Sequence, residues 1–196
     1  MPVCDTDNAM LRARSAVVPR TLAIRFALAA VGSGLLAVSA HVAVPMLPVP
    51  ITLQTLALPL LVLALGRNLA VMATLLYLAE GAFGWPVFAP VAGPPGLVGP
   101  TAGYLWMYPV AAFTMGALLD RGLTTTYAGR WAAIFAGTVL VFAGGVWWLT
   151  VVYQLNFGQA FAVGVAPFII GDFLKVSLAA ALPSQAAKIA ARFHLP

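Results

Sequence analysis

Residues Leu56–Leu65 read LALPLLVLAL, and the fold turns on how this run is understood. A strand of a membrane barrel alternates apolar and polar residues with period two, and nothing here alternates. A helix that is apolar on every side is either a deeply buried core helix or one that lies in lipid. The surrounding chain decides between these. Five further apolar segments accompany this one, giving spans at Thr21–Ala40, Thr52–Gly66, Asn68–Phe83, Ala102–Asp120, Arg130–Gln154 and Phe161–Ala187. The second and third hold only about 15 residues against the roughly 20 that a straight crossing needs, so they are expected to tilt or to end irregularly.

Composition supports the same reading. Of 196 residues, 62% are apolar and 8% charged, and the mean hydropathy is +0.99. A soluble domain carries about 25% charged residues, and a disordered chain has low hydrophobicity and high charge. The expected fold is therefore all-α: a polytopic membrane protein with six transmembrane helices. A polar, basic tail (1–20) precedes a single membrane domain (21–192), and the length leaves no room for a soluble catalytic domain.

Positive charge orients the bundle. The segment before the first span holds Arg12, Arg14 and Arg20, and the loop His41–Ile51 holds no Lys or Arg. Arg67 separates spans two and three, Arg121 and Arg130 flank the next such loop, and Lys188 and Arg192 close the chain. Loops 84–101 and 156–159 hold none. Eight of the ten Lys and Arg thus fall on alternate connections, which places both termini in the cytoplasm. A cleavable leader ending at Val38-Ser39-Ala40 is the competing reading of the first span, though that apolar stretch is closer to a full span than to a leader core. The net charge of +5 is scattered singly and forms no basic stripe, so no nucleic-acid partner is expected. Cys4 is the only cysteine, and the two histidines, His41 and His194, fall on opposite sides of the membrane; no metal site is expected. Neither G-x-x-x-x-G-K-[ST] nor G-x-S-x-G occurs, so ATP binding through a phosphate loop and serine hydrolysis are both unexpected. The chain is not expected to be an enzyme.

Charges inside spans need a reason, because each costs about 2.5–3.5 kcal/mol on insertion scales. Arg25 sits about one turn inside span one and can snorkel to the headgroups. Glu80, near the outer end of span three, is expected to play a structural part: protonated, paired with a buried polar group, or exposed at a tilted end. Asp172 and Lys175 share a helix face at i and i+3. As a staple they would be a poor choice, since a buried ion pair is often no net stabiliser. As a site they offer a carboxylate that accepts N–H bonds beside an ammonium that can hold an anion. A ligand with a cyclic urea or amide and a carboxylate would suit both.

The loop GWPVFAPVAGPPGLVGPT (84–101) is uncharged and dense in Pro and Gly. Its prolines forbid continuous helix, and irregular backbone near membrane depth is tolerated where it lines a cavity, so a lid over a site is expected. Small residues Ala23, Ala27, Ala30 and Gly34 form a smooth stripe on span one that favours close helix approach within the fold or to a partner.

Four segments in order carry a resemblance: PVPITLQTL (Pro48–Leu56), LLYLAEGAFGWPVFA (Leu75–Ala89), GPTAGYL (Gly99–Leu105) and GDFLKVSLAAAL (Gly171–Leu182). Together they resemble the BioY family, the biotin-capture S components of energy-coupling-factor transporters. The resemblance implies a plasma-membrane protein that binds biotin from outside and works with a transmembrane coupling subunit and two cytoplasmic ATPases. No cofactor is implied; ATP would be bound only by the partners. It maps biotin contact onto Asp172 and Lys175, loop closure over the ligand onto Thr101, Gly103 and Tyr104, and a further contact onto Gln54. It also assigns the stripe of Ala23 and Ala27 to the coupling subunit. The chain departs from the family pattern at Ala102, where the motif has glycine, and at Pro94 and Pro95, which interrupt a glycine-rich stretch. It departs again at Glu80, where an apolar residue is usual, and at Leu105, where some members carry arginine. The rival readings are an S component for another vitamin, a stand-alone proton-coupled secondary transporter using Asp172 or Glu80, and a membrane scaffold.

Overall fold

The computed structural model describes residues 4–90, 96–185 and 189, with side chains from residue 21 onward. Pro94, Pro95, Lys188 and Arg192 lie outside these residues. Helix α1 runs from Cys4 to His41, so the basic segment before span one continues into the same helix. A two-residue ladder follows, β1 (Ala43–Val44) antiparallel to β2 (Ile51–Thr52), with Ala43 opposite Thr52. Then come α2 (Gln54–Leu65), α3 (Arg67–Ala82), α4 (Ala102–Leu118), α5 (Tyr127–Val151), α6 (Phe157–Gly164) and α7 (Ile169–Ala181). Helices α6 and α7 are joined by a 3₁₀ turn, Ala166–Phe168, and together form the sixth span over Phe157–Ala181.

All six spans are present, and the short ones are short for a reason. Helix α2 has 12 residues, about 18 Å of rise, against a hydrocarbon core of about 30 Å. Protein covers both of its ends. At its start the Leu53 amide donates to the carbonyls of Ser39 and Val42. At its finish the Leu63 carbonyl accepts from Ser184 Oγ and from the Gln185 amide. Irregular backbone within a membrane is tolerated when its polar groups are met in this way. Helix α3 has 16 residues and packs along α1 and α4.

Span boundaries differ from the sequence reading in the last two spans. The fifth begins at Tyr127 rather than Arg130, because the Thr126 side chain caps it by accepting from the Gly129 amide. The sixth begins at Phe157, where Asn156 and Gln159 form a reciprocal capping box, and its last helix ends at Ala181, just before Pro183. Pro167 lies in the 3₁₀ turn that interrupts it.

The helices pack into one bundle, with α4 on α5, and α1 and α4 on either side of α3, making the broadest contacts. A Cβ on Gly103 would lie 2.3 Å from Trp148 Cβ and 2.4 Å from the Gly144 carbonyl oxygen, so the backbones of α4 and α5 approach here as only glycine allows. At the basic end Arg67 pairs with Asp120 at 3.6 Å, and Arg130 donates to the Ala180 and Thr124 carbonyls at 2.7 and 2.9 Å. The opposite, uncharged end carries the ladder, the loop after α3 and the α5–α6 turn. Ala23, Ala27, Ala30 and Gly34 are all exposed on the outer face of α1, while Ser33, Leu36 and Ala40 on its other face are buried. Glu80 accepts a hydrogen bond from the buried hydroxyl of Ser33, linking α3 to α1.

Candidate functional site

Asp172 and Lys175 project from α7 toward the start of α2, at the uncharged end. Lys175 Nζ donates to Asp172 Oδ1 at 2.8 Å, to Thr55 Oγ1 at 2.9 Å and to the Thr52 carbonyl at 2.8 Å. The Thr55 hydroxyl in turn donates to Asp172 Oδ1 at 2.8 Å. Three ammonium hydrogens therefore meet three acceptors, and the second carboxylate oxygen is left over. Asp172 is 4% exposed, and its Oδ2 is buried with no hydrogen-bond partner among the described residues. A buried carboxylate oxygen without a donor costs free energy, so this atom is poised for an N–H from elsewhere.

Thr52 and Thr55 face a narrow cleft that α2, α4, α5 and the two outer loops enclose. Gln54, Thr101 and Tyr104 line it, together with Tyr108, Phe142 and Phe168. Its free space is about 40 Å³, room for a few water molecules. Small-molecule pockets run to about 300–1,000 Å³, so the cleft as it stands is narrower than a ligand of that class needs. On the far side, Asp172 also borders a wide apolar groove between α5 and α6–α7 that opens on the outer surface of the bundle.

The sequence-predicted residues divide into three groups. Asp172 and Lys175 form one cluster, their charged atoms 2.8 Å apart, beside the cleft rather than among the residues that line it. Gln54, Thr101 and Tyr104 lie on the cleft. Gln54 is buried and donates through Nε2 to Tyr77 Oη at 2.8 Å, and Tyr77 donates to the Val87 carbonyl of the outer loop. Tyr104 Oη donates to the Gly164 carbonyl at 2.9 Å, fastening α4 to the end of α6. Thr101 Oγ1 is 3.4 Å from the Gly96 carbonyl. Gly103 lies at the α4–α5 contact, away from the cleft.

The loop after α3 folds back onto the bundle. Phe88 meets Tyr77 edge to face at 5.1 Å and lines the cleft with Ala89. Trp148 donates from Nε1 to the Gly99 carbonyl at 2.9 Å, tying the end of this loop to α5, whereas Trp147 is 60% exposed. The sequence reading missed Thr52 and Thr55. The two threonines stood in view on either side of Gln54, within a segment already singled out.

Residues 10–192 match the sequence model of the BioY family. The chain belongs to the BioY family. It is 34% identical over 162 residues to the "Biotin transporter BioY" of Thermotoga maritima, covering 82% of this chain and 94% of the relative. It is 36% identical to the "Probable biotin transporter BioY" of Pyrococcus horikoshii, over 74% of this chain and 85% of the relative. The "Biotin transporter BioY" of Rhizobium etli is 37% identical over 69% of this chain and 76% of its own length. Among solved structures, a crystal structure of the S-component for biotin from an ECF-type ABC transporter superposes with a TM-score of 0.73, at 21% identity. The alignment covers 85% of this chain and 92% of that one, and fixes the six-span fold. The family consists of transporter components rather than enzymes.

Proposed function

We propose that this chain is the substrate-capture component of a vitamin uptake transporter, binding biotin from the extracytoplasmic side. The observation that carries the reading is the buried cluster of Asp172, Lys175 and Thr55 behind an apolar cleft, with Asp172 Oδ2 unpartnered. A cyclic urea presents N–H donors beside a carbonyl acceptor. Asp172 Oδ2 would accept one N–H, and the Lys175 ammonium or the Thr55 hydroxyl would turn to the ureido oxygen. Phe142, Phe168 and Tyr108 supply an apolar wall for the fused thioether ring. Gln54, Thr101 and Tyr104 complete the lining from α2 and α4, and Gly103 serves the site by letting α4 and α5 close on each other.

Delivery across the membrane would rest on ATP-hydrolysing partners: a transmembrane coupling subunit and two cytoplasmic ATPases. The exposed small residues Ala23 and Ala27 give α1 a smooth face on which a partner helix can pack closely. The sequence carries no G-x-x-x-x-G-K-[ST] with which to bind ATP. Titration of the purified, detergent-solubilised chain with biotin tests the reading, with thiamine and riboflavin as controls. Saturable binding of biotin alone is expected. A folded protein that binds none of the three, or prefers another vitamin, overturns it.

A further inference from the structure

Resting on the biotin reading, we infer that this chain recognises its ligand by the ring end alone, and takes cyclic-urea ligands whose side-chain carboxyl is masked as an amide or ester about as well as the free acid. Lys175 is the one cation that reaches the edge of the cleft among the described residues, and its three N–H donors are already held by Asp172, Thr55 and the Thr52 carbonyl. A ligand carboxylate brought there would break one of these bonds. It would also lie beside the Asp172 carboxylate, 2.8 Å from the same ammonium, where like charges repel.

The rest of the cleft offers no replacement. Toward the outer loops its walls are Val49, Pro50, Phe88, Ala89 and Leu105, with the neutral hydroxyl of Thr101. The whole of loop 84–101 is uncharged in sequence, and so are residues 42–53, the connection that carries the ladder. The other nine Lys and Arg belong to α1 as far as Arg25, to the basic end at Arg67, Arg121 and Arg130, or to the chain beyond α7. Burying a carboxylate with no cation is costly, so the ligand's acid group stays hydrated at the mouth of the cleft. A group that remains in water is not read by the site, and replacing its charge leaves the buried contacts unchanged.

The test compares biotin with its primary amide, nearly the same in size and shape but uncharged, by calorimetric titration of the purified chain. A charge-assisted hydrogen bond to the carboxylate would separate the two by roughly ten- to hundredfold. The expected result is affinities within about fivefold. Binding of biotin with a larger loss for the amide overturns this inference and leaves the capture reading standing. Failure of both ligands to bind a folded chain overturns the capture reading, and the inference with it.

Discussion

Replacing both members of the α7 pair, Asp172→Asn with Lys175→Met, separates ligand recognition from helix fastening. Each single change leaves a buried group without its partner. Asp172→Asn strands an ammonium whose side chain is 13% exposed, and Lys175→Met strands a carboxylate at 5%. Breaking one side of such a pair costs about 3–5 kcal/mol, while removing both charges is often nearly neutral. The singles should therefore melt well below the parent and the double should recover most of the difference. Binding should not recover. The double variant lacks the acceptor for a ureido N–H and the charged donor for the ureido oxygen, each a hydrogen bond worth about 1.5–3 kcal/mol, so affinity should fall about 10²- to 10⁴-fold. The assay is a thermal-unfolding series on the four proteins in one detergent, with biotin titrations on the same samples. A double variant that is folded and binds biotin within tenfold of the parent would refute the site: the pair would then be a staple between α7 and α2.

Other substitutions test other parts of the molecule. Gly103→Ala puts a methyl group where 2.3–2.4 Å is free against Trp148 and Gly144, and should cost about 1–3 kcal/mol of stability; an unchanged melting temperature would show that α4 and α5 adjust freely. Ser33→Ala removes the donor to Glu80 and should destabilise by about 1–3 kcal/mol with biotin affinity unchanged, whereas a loss of affinity would move Glu80 into the binding machinery. Ala27→Leu roughens the exposed face of α1; biotin binding by the isolated chain should be unaffected while ATP-dependent uptake in cells falls severalfold, and full uptake would remove α1 from the coupling interface.

What could be read in the sequence follows from what lipid forbids. Six spans were legible because uncompensated polar backbone cannot cross hydrocarbon, and Asp172 and Lys175 stood out because charge there is expensive. Thr55 did not stand out, since a hydroxyl in an apolar helix usually bonds its own backbone, as Thr74 and Thr138 do here, and Thr52 meets Lys175 through its main-chain carbonyl, which no side-chain pattern marks. Their meeting with Lys175 spans about 120 residues of chain, a distance no local pattern records. Gly103 is instructive in another way. The resemblance marked it through the ligand loop, yet its geometry is that of two helices in close contact, and a motif does not state which of these reasons keeps a glycine. Asn156 and Gln159 were legible as a capping box, three residues apart before an apolar run, but their polarity read as loop.

The bonds that finish α2 come late in synthesis. Its last turn is held by Ser184 and Gln185 and its first by Lys175, all made more than a hundred residues after it. Until the sixth span has left the ribosome, this 12-residue helix lacks the groups that close its last turn, although α1 already meets its first. Asp172 and Lys175, one turn apart, can meanwhile neutralise each other as their own helix enters lipid. The order of manufacture therefore makes the cluster of Thr55, Asp172 and Lys175 one of the last parts of the bundle to take shape. A chain cut short before residue 172 would keep five of its spans and every residue that lines the cleft, yet lack both charges of the cluster beside it.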